Sequence, residues 1–203
     1  MVYIMLGAPG SGKGTRAEML KDKFNFVHVS TGSMIRENKQ IYSKYEEQLK
    51  KGMLLSDELV NLLVSQRLSA DDIKNGVIID GYPRTLKQAE ALDGILKRLE
   101  MKIEKVFLLV ADTETIYSRI LSRTVCSECS KVLTKKKAQK TKNKCPNCGG
   151  ELVLRTDDNE ETLKNRIDIF YENIDDIQKY YEEKDLLETI NALDLPEKII
   201  GRI

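Results

Sequence analysis

The feature that most constrains the fold is the stretch VYIMLGAPGSGKGT near the N-terminus. Gly7, Gly12 and Lys13 match the pattern G-x-x-x-x-G-K, between a short apolar run and a segment of helical pattern. Glycines let backbone amides turn toward a phosphate, the helix N-terminus adds partial positive charge, and the lysine supplies a mobile charge. The strict pattern has Ser or Thr directly after the lysine, but here Gly14 intervenes, so contact of Thr15 with magnesium stays open. The stretch predicts a strand, a phosphate-binding loop and a helix rather than a simple Gly/Pro-rich turn.

Short apolar runs alternate with segments of helical pattern along the chain, which predicts an α/β fold with a parallel sheet. Five runs are predicted to be strands: 2–6, 27–29, 77–80, 105–110 and 188–191. Ser56 is followed by Asp57 and Glu58, and a side-chain oxygen with negative charge suits a helix N-terminus. Helices are predicted over 13–23, over much of 31–50 until Gly52 breaks the pattern, from Ser56 onward, and over 85–98, 113–122 and 159–184.

Composition favours one soluble domain. The 203 residues are 41% hydrophobic, which is enough for one substantial core with small inserted lobes. The formal net charge is +1, so the chain lacks the overall basic field of a dedicated nucleic-acid binder. No signal peptide is recognisable, and the longest apolar run, Val106 to Ala111, is too short to cross a bilayer. We therefore expect a cytoplasmic protein whose cysteine thiols stay reduced.

All four cysteines lie in one segment with the spacing Cys126-x2-Cys129-x15-Cys145-x2-Cys148. Two CxxC pairs at this spacing are typical of a zinc ribbon, in which four thiolates fill a tetrahedral shell and the metal is structural. Iron also accepts four thiolates, so the sequence does not settle the metal, and two disulfides are the alternative. The segment interrupts the alternation of strands and helices, which predicts an insert.

The insert also raises a different function. Residues 122–159 carry nine Lys/Arg against four Asp/Glu, as a zinc ribbon that binds nucleic acid would. The loop between the cysteine pairs, however, has no aromatic residue that could stack on a base. The lysines are more simply the solvated face of a lid over anionic phosphates, and we expect no nucleic-acid partner.

Asp80 ends the apolar run VIID, and a carboxylate at the end of a buried strand is the Walker B arrangement near a nucleotide's metal. The single histidine, His28, lies inside the predicted strand VHV, where a structural role is more common than a catalytic one. No base for a hydroxyl acceptor is evident, but a phosphate monoester needs none because its second pKa is about 6. Such an acceptor requires cations that align two polyanions, and arginine suits this role. The candidates are Arg36, Arg84, Arg119, Arg123, Arg155 and Arg166.

Several motifs together resemble the adenylate kinase family over nearly the whole chain. They are GAPGSGKGT (7–15), STGSMIR (30–36), DGYPRT (80–85), RILSR (119–123), RTDDNEET (155–162) and Arg166, and the cysteine insert resembles the family's long-lid, zinc-containing bacterial form. The resemblance implies a doubly wound, P-loop NTPase-type α/β core with a parallel five-stranded sheet flanked by helices. It also implies a core domain of 1–29, 56–121 and 160–203, an AMP-binding helical lobe at 30–55 and a zinc-binding lid at 122–159.

The reaction implied by the resemblance is ATP + AMP = 2 ADP in a monomer, with magnesium that Asp80 would hold through water. The phosphoryl-transfer residues would be Lys13, Arg119, Arg123, Arg155 and Arg166. ATP would contact Gly10, Ser11, Gly12, Lys13, Gly14, Thr15, Arg123, Val132 and Leu133. AMP would contact Thr31, Arg36, Met53, Leu54, Leu55, Gly81, Tyr82, Pro83, Arg84, Gln88, Arg155 and Arg166.

The chain departs from the family pattern at a few positions. Ser33 stands where the family usually has Asp, and its replacement affects an expected hydrogen bond between lobe and core. Val132 and Leu133 stand where polar or aromatic residues are frequent in relatives. The segment 191–196 lacks the glycine expected near the ATP base. The last two departures concern the base of ATP, and neither changes the phosphate-binding residues.

Three rival functions remain open: another nucleoside monophosphate kinase, a zinc-ribbon nucleic-acid-binding ATPase, and an ATP hydrolase. Thr31 and Thr85 favour adenine, because pyrimidine-specific relatives tend to differ at both positions. Gln88 fits a capping box with Thr85, in which it would reach back to the start of its helix. On the resemblance, we favour a role for Gln88 in reading AMP.

Overall fold

A computed structural model describes residues 1–73, 75–155 and 158–203. Its strands are β1 Val2–Gly7, β2 Val27–Ser30, β3 Val77–Asp80, β4 Ile103–Val110, β5 Arg123–Cys126, β6 Val132–Thr134, β7 Leu152–Val153 and β8 Leu187–Asn191. Its helices are α1 Lys13–Phe24, α2 Thr31–Glu37, α3 Lys39–Lys44, α4 Glu46–Lys50, α5 Asp57–Leu68, α6 Leu86–Arg98, α7 Thr113–Leu121, α8 Lys135–Lys140 and α9 Glu160–Glu182, followed by a 3-10 helix at Pro196–Arg202.

The central sheet has five parallel strands in the order β2-β3-β1-β4-β8. Every residue of β1 is buried, as expected for a strand covered by helices on both faces. The chain leaves β1 toward one side of the sheet and returns to its other side at β4, so the carboxyl end of β1 lies at a topological switch point. Ligands of open α/β sheets bind at such points. All five strands predicted from the sequence are confirmed.

Helices cover both faces of this sheet. Alternate side chains of β1 point toward opposite faces, so each face carries apolar side chains that a helix can cover. One face carries Ile4 and packs against α5, α6 and α9, where Leu92 and Ile177 are buried. The other face carries Met5 and packs against α1 and the 3-10 helix, with Leu20 at its centre. The doubly wound α/β architecture predicted for the chain is therefore confirmed.

The helical segment between β2 and α5 is fastened to the start of α9. Thr162 Oγ1 donates to the carbonyl of Lys50 at 2.5 Å, and Asn165 Nδ2 donates to the carbonyl of Lys51 at 3.1 Å. Gly52 follows with a φ of 75°, and a Cβ there would lie 2.6 Å from the Thr162 carbonyl oxygen. Only glycine fits this turn, which explains why the helical pattern stops there.

The cysteine segment forms a separate antiparallel sheet, β6-β5-β7, with α8 packed beside it. This small sheet lies between α7 and α9 in the chain, as an insert should. Its core contains the side chains of Leu133, Ala138 and Leu152 together with Cys126 and Cys145. None of the described helices is long and apolar enough to span a membrane.

Candidate active site

The glycines of the phosphate-binding loop are required by close packing. Gly7 has a φ of 142°, and a Cβ there would lie 2.6 Å from the carbonyl oxygen of Leu109 on β4. Gly10 has a φ of 78°, and its Cβ would lie 2.9 Å from Ile120 on α7. Gly12, the N-cap of α1, has a φ of 95°. The loop therefore adopts a left-handed backbone against neighbouring elements, which leaves its amides free of side-chain cover.

Lys13 begins α1 and turns back into the loop. Its Nζ donates to the carbonyls of Gly7 at 2.8 Å and Ala8 at 2.9 Å. Burial lowers the pKa of Lys13 to about 8, although the negative charge of Asp80 opposes this shift. A buried ammonium in a positive environment favours an anionic ligand, because a phosphate would restore its ordinary pKa.

Cations from three separate parts of the chain surround Lys13. The positive charges of Arg84, Arg166 and Arg123 add to burial in lowering the pKa of Lys13. Burial also lowers the pKa of Arg84, and the charge of Arg155 adds to that effect while Asp80 opposes it. Mutual repulsion of this kind is costly without a ligand and becomes favourable once a polyanion binds between the charges.

Arg123 and Arg166 are joined by one carboxylate. Asp158 accepts from Arg123 Nε at 2.7 Å and forms a second contact with the Arg123 guanidinium, while Arg166 NH1 lies 3.8 Å from Asp158 Oδ1. The Asp158 side chain is only 5% exposed. Because Asp158 follows the ribbon and Arg123 precedes it, this fork ties the two ends of the insert together. Asp158 was not predicted as a site residue, although it lies within the motif RTDDNEET.

Arg119 and Arg16 meet at the loop that follows β8. Arg119 donates to the carbonyls of Ser11 at 3.2 Å and Ala192 at 3.0 Å. Arg16 donates to the carbonyls of Ala192 at 3.4 Å and Asp194 at 2.8 Å, and its burial lowers its pKa. Arg16 was not predicted as a site residue. The sequence feature that could have indicated it is an arginine on the buried side of α1. The two guanidiniums connect the phosphate-binding loop with the segment expected near the ATP base.

Asp80 lies at the carboxyl end of β3, beside the phosphate-binding loop. A Cβ on Gly14 would lie 3.3 Å from Asp80 Oδ2, so the carboxylate approaches the start of α1 closely. Burial alone would raise the pKa of Asp80, but the contact with His28 and the charge of Lys13 outweigh burial and lower it. An ionised carboxylate next to the loop is the donor type that a magnesium ion requires.

His28 is held between two carboxylates. Its Nδ1 lies 2.7 Å from Glu18 Oε1, and its Nε2 lies 3.4 Å from Asp80 Oδ2. The second contact is an ion pair. It is not a hydrogen bond, because Nε2 forms none with any residue that the structure describes. Burial favours the neutral ring, but the contacts with Asp80 and Glu18 prevail and raise the pKa of His28 to about 9. The imidazolium thus fixes Asp80 in place, in line with the structural role expected for His28.

Two adjoining cavities lie at the carboxyl edge of the sheet. The larger is bordered by the phosphate-binding loop and by Arg84 and Arg166. The smaller lies against the α2–α4 segment. Residues that were predicted to bind nucleotide and that border one or both cavities are Lys13, Thr31, Met53, Leu54, Leu55, Gly81, Pro83, Arg84, Gln88 and Arg166. No carboxylate, imidazole or thiol belongs to the described lining of the larger cavity.

Gln88 is 1% exposed and borders the smaller cavity. Thr85 Oγ1 caps α6 by accepting from Gln88 N at 3.1 Å, which is one half of the predicted capping box. The other half does not form, because Gln88 Oε1 accepts from the backbone N–H of Arg84 at 2.8 Å. Gln88 Nε2 donates to Asp57 Oδ1 at 2.8 Å. Asp57 was predicted only as a helix-start residue, and no sequence motif indicates its contact with Gln88.

Some residues that were predicted to contact a nucleotide border neither cavity. Tyr82 is fully buried in the core, where its hydroxyl donates to Asn61 and to the Gln88 carbonyl, so only its backbone is available to a ligand. Leu133 is 9% exposed because it points into the ribbon core, whereas Val132, on the opposite face of β6, is 54% exposed. The packing of the Leu133 side chain leaves its backbone for the predicted contact with ATP.

Further residues that were predicted to bind nucleotide lie on α2, in the phosphate-binding loop and on α1. Arg36 donates to Ser33 Oγ at 3.4 Å, so the residue that replaces the family's usual Asp contacts an AMP-binding candidate. Ser11 is completely buried and its hydroxyl has no hydrogen-bond partner among the described residues, while Thr15 is exposed on α1. Thr31 Oγ1 donates to the Gly81 carbonyl at 2.8 Å, which joins α2 to the loop after β3.

The four cysteines form one cluster, with all Sγ atoms within 4.8 Å of one another. The Sγ atoms of Cys126 and Cys148 are 3.4 Å apart, and those of Cys129 and Cys145 are 3.6 Å apart. A tetrahedral shell with Zn–S bonds of about 2.3 Å places sulfurs about 3.8 Å apart, so the cluster fits a bound metal better than two disulfides. A Cβ on Gly150 would lie 2.9 Å from Cys126 Sγ, so the backbone approaches the cluster closely.

Comparison with known proteins agrees with this geometry. The sequence model of the adenylate kinase family matches residues 5–186. An adenylate kinase of Caldicellulosiruptor bescii is 43% identical over 193 residues, which cover 92% of this chain and 89% of the relative. Adenylate kinases of Thermosipho africanus and Lactobacillus delbrueckii subsp. bulgaricus are 41% and 40% identical, cover 98% of this chain in each case, and are themselves covered to 96% and 95%. With its phosphate-binding loop, its convergent arginines and these relatives, the chain belongs to the adenylate kinase family.

Proposed function

We propose that the protein catalyses the reversible, magnesium-dependent reaction ATP + AMP = 2 ADP. The observation that carries the proposal is the larger cavity, which Lys13, Arg84 and Arg166 border and which shares the lining residue Arg84 with the smaller cavity. The cavity supplies positive charge but no general base among its described residues. A phosphate monoester acceptor is already an anion near neutral pH, so alignment and charge neutralisation suffice.

In this proposal each cavity receives one nucleotide. Backbone amides from Gly10 to Thr15 bind the phosphates of ATP, with Arg119, Arg123 and Val132 on the side of the ribbon. The phosphate of AMP lies between Arg36, Arg84, Arg155 and Arg166, and its base enters the cavity bordered by Thr31, Met53, Leu54, Leu55, Gly81 and Gln88. The cations then face both sides of the transferring phosphoryl group, whose charge they stabilise as it moves between two oxygens.

Two metals belong to the proposal. Magnesium neutralises charge on the phosphates of ATP, and the ionised carboxylate of Asp80 beside Gly14 is suited to hold it through water. Zinc is the proposed metal of the four-cysteine cluster, where four thiolates leave no position for a substrate. The zinc would order the ribbon, and it contacts no reacting atom.

The division into parts follows from these roles. We assign 1–29, 56–121 and 160–203 to the core, 30–55 to the AMP-binding lobe and 122–159 to a lid that covers ATP. The protein would act as a monomer, as the family resemblance implies. A cytoplasmic location would fit the four unpaired thiols, which a reducing compartment preserves.

The test is a product assay with ATP and magnesium in the presence of AMP, CMP, UMP or GMP in turn. We expect ADP as the sole product and AMP as the preferred acceptor by at least about tenfold. Comparable turnover with CMP or UMP would instead identify a different nucleoside monophosphate kinase. Consumption of ATP at the same rate without any acceptor would identify an ATP hydrolase.

A further inference from the structure

The side-chain amide of Gln88 is held at both ends. Gln88 Nε2 donates to Asp57 Oδ1 at 2.8 Å, and Gln88 Oε1 accepts from the backbone N–H of Arg84 at 2.8 Å. Asp57 is itself fixed, because Thr85 Oγ1 donates to the same carboxylate oxygen at 3.0 Å and Ser56 caps the helix that Asp57 begins. These contacts join the starts of α5 and α6 beside the smaller cavity, which Gln88 borders.

The chemistry of the two partners leaves the amide one orientation. A carboxylate can only accept hydrogen bonds, so the NH₂ group of Gln88 must face Asp57. A backbone N–H can only donate, so the oxygen of Gln88 must face Arg84. Rotating the amide by half a turn would place oxygen against carboxylate and N–H against N–H, at the cost of two buried, unsatisfied contacts.

A fixed amide presents a fixed pattern to a ligand. After these two contacts, Gln88 retains one N–H donor and one oxygen lone pair beside the smaller cavity. Adenine offers the matching pattern at its pairing edge, with an acceptor at N1 and a donor at the 6-amino group. Hypoxanthine has nearly the same size but reverses both, with an N1–H donor and a 6-oxo acceptor. Discrimination between the two bases thus depends on which way the amide of Gln88 points.

We propose that Asp57 is a positioning residue that fixes the amide of Gln88 and thereby makes the acceptor site selective for adenine over 6-oxopurine monophosphates. This inference rests on the proposed function, because it assigns the smaller cavity to the base of AMP. Asp57 does not touch the nucleotide and acts only through Gln88. An asparagine or serine side chain at this position can donate as well as accept, so it no longer dictates which end of the Gln88 amide faces it.

The test compares Asp57→Asn with Glu58→Gln in the full-length protein. Both substitutions remove one carboxylate from the first turn of α5, but Glu58 is exposed and makes no contact with Gln88 in the described structure. The measured quantity is kcat/KM for AMP divided by kcat/KM for IMP, with ATP and magnesium constant. Asp57→Ser serves as a second variant, and circular dichroism and thermal melting verify folding of each protein.

We expect the AMP/IMP ratio to fall by about tenfold in Asp57→Asn and Asp57→Ser, and to stay within about twofold of the parent in Glu58→Gln. The loss should lie in KM for AMP, with kcat at saturating AMP nearly unchanged. An unchanged ratio in a folded Asp57 variant would overturn the inference, and so would an equal fall in both kcat/KM values, which indicates a purely structural role. Failure of the parent protein to phosphorylate AMP would instead overturn the proposed function.

Discussion

At the scale of single residues, the site depends on charges that are buried before any ligand arrives. Lys13 is the clearest case, because its ammonium contacts two carbonyls of its own loop while burial and the nearby arginines lower its pKa to about 8. A phosphate that replaces those carbonyls would relieve an unfavourable arrangement. Part of the nucleotide-binding energy is therefore prepared in the protein itself.

Substituting Lys13 should separate catalysis from folding. We expect Lys13→Met to lower kcat by at least about a hundredfold, because the lost charge faces the transferring phosphoryl group. Thermal stability should not fall, since methionine removes a buried cation from a positive environment. Lys21→Met on the same helix, where the side chain is exposed, is the matched control. Near-normal turnover of purified Lys13→Met would show that transfer occurs elsewhere.

The ion pairs of His28 predict a pH-dependent contribution to stability. The pKa of His28 is raised from 6.5 to about 9 in the folded protein, so its stabilising effect is complete below pH 6.5 and disappears as pH rises through about 9. His28→Gln should therefore lower the free energy of unfolding by about 2 kcal/mol at pH 6 and by much less at pH 9.5. Urea unfolding without nucleotide or magnesium measures both values. An equal difference at the two pH values would contradict this account of His28.

At the scale of secondary-structure elements, the sequence predicts long elements and local motifs well. All five core strands and the long helix α9 are confirmed, because apolar runs and helical periodicity extend over enough residues to be read. The strands β5 to β7 have only two to four residues each, and α8 buries just one side chain, so neither gives a readable period. The C-terminal 3-10 helix was missed for the same reason.

The candidate site divides in the same way. The phosphate-binding loop and the cysteine pairs are local patterns, and their residues meet in the structure as their spacing predicts. Asp57, Arg16 and Asp158 were missed because their partners lie far away in the sequence. Asp57 meets Gln88 across 31 residues, and Arg16 meets Asp194 across 178. Contacts of this kind depend on the packing of whole elements, which one sequence does not reveal.

The ribbon is the element whose stability should depend on metal. Its apolar core is small, whereas metal binding by four thiolates can contribute an apparent ~10–16 kcal/mol at neutral pH. We expect Cys145→Ser/Cys148→Ser to lose one zinc per chain and to unfold at a lower temperature, while much of its activity remains in the cold. Asn147→Ser, in the same knuckle but without a sulfur ligand, is the control. Metal analysis, thermal melting and the ADP assay measure these effects.

Two results would contradict that view of the ribbon. Absence of any metal from the parent protein would show that the thiols order the segment in another way. Complete loss of cold activity in a folded cysteine variant would indicate that the metal takes part in the reaction. The fork of Arg123 on Asp158 explains why the second result is not expected, because it closes the insert without using the metal.

At the scale of the whole molecule, a nearly neutral chain concentrates positive charge at one edge of its sheet. The formal net charge is +1, yet Lys13 lies within the field of Arg84, Arg123 and Arg166. These cations come from the core, from the start of the ribbon and from α9. A site assembled from separate elements should be complete only when nucleotides occupy both cavities. Transfer of the phosphoryl group from ATP to water should therefore be slow.

The measurement that tests this central claim most directly follows ATP, ADP and inorganic phosphate together, with magnesium and with or without AMP. We predict two ADP formed for each ATP consumed when AMP is present, and almost no release of inorganic phosphate in either condition. Rapid phosphate release from ATP without AMP would contradict the account, because the cations would then act without an acceptor nucleotide.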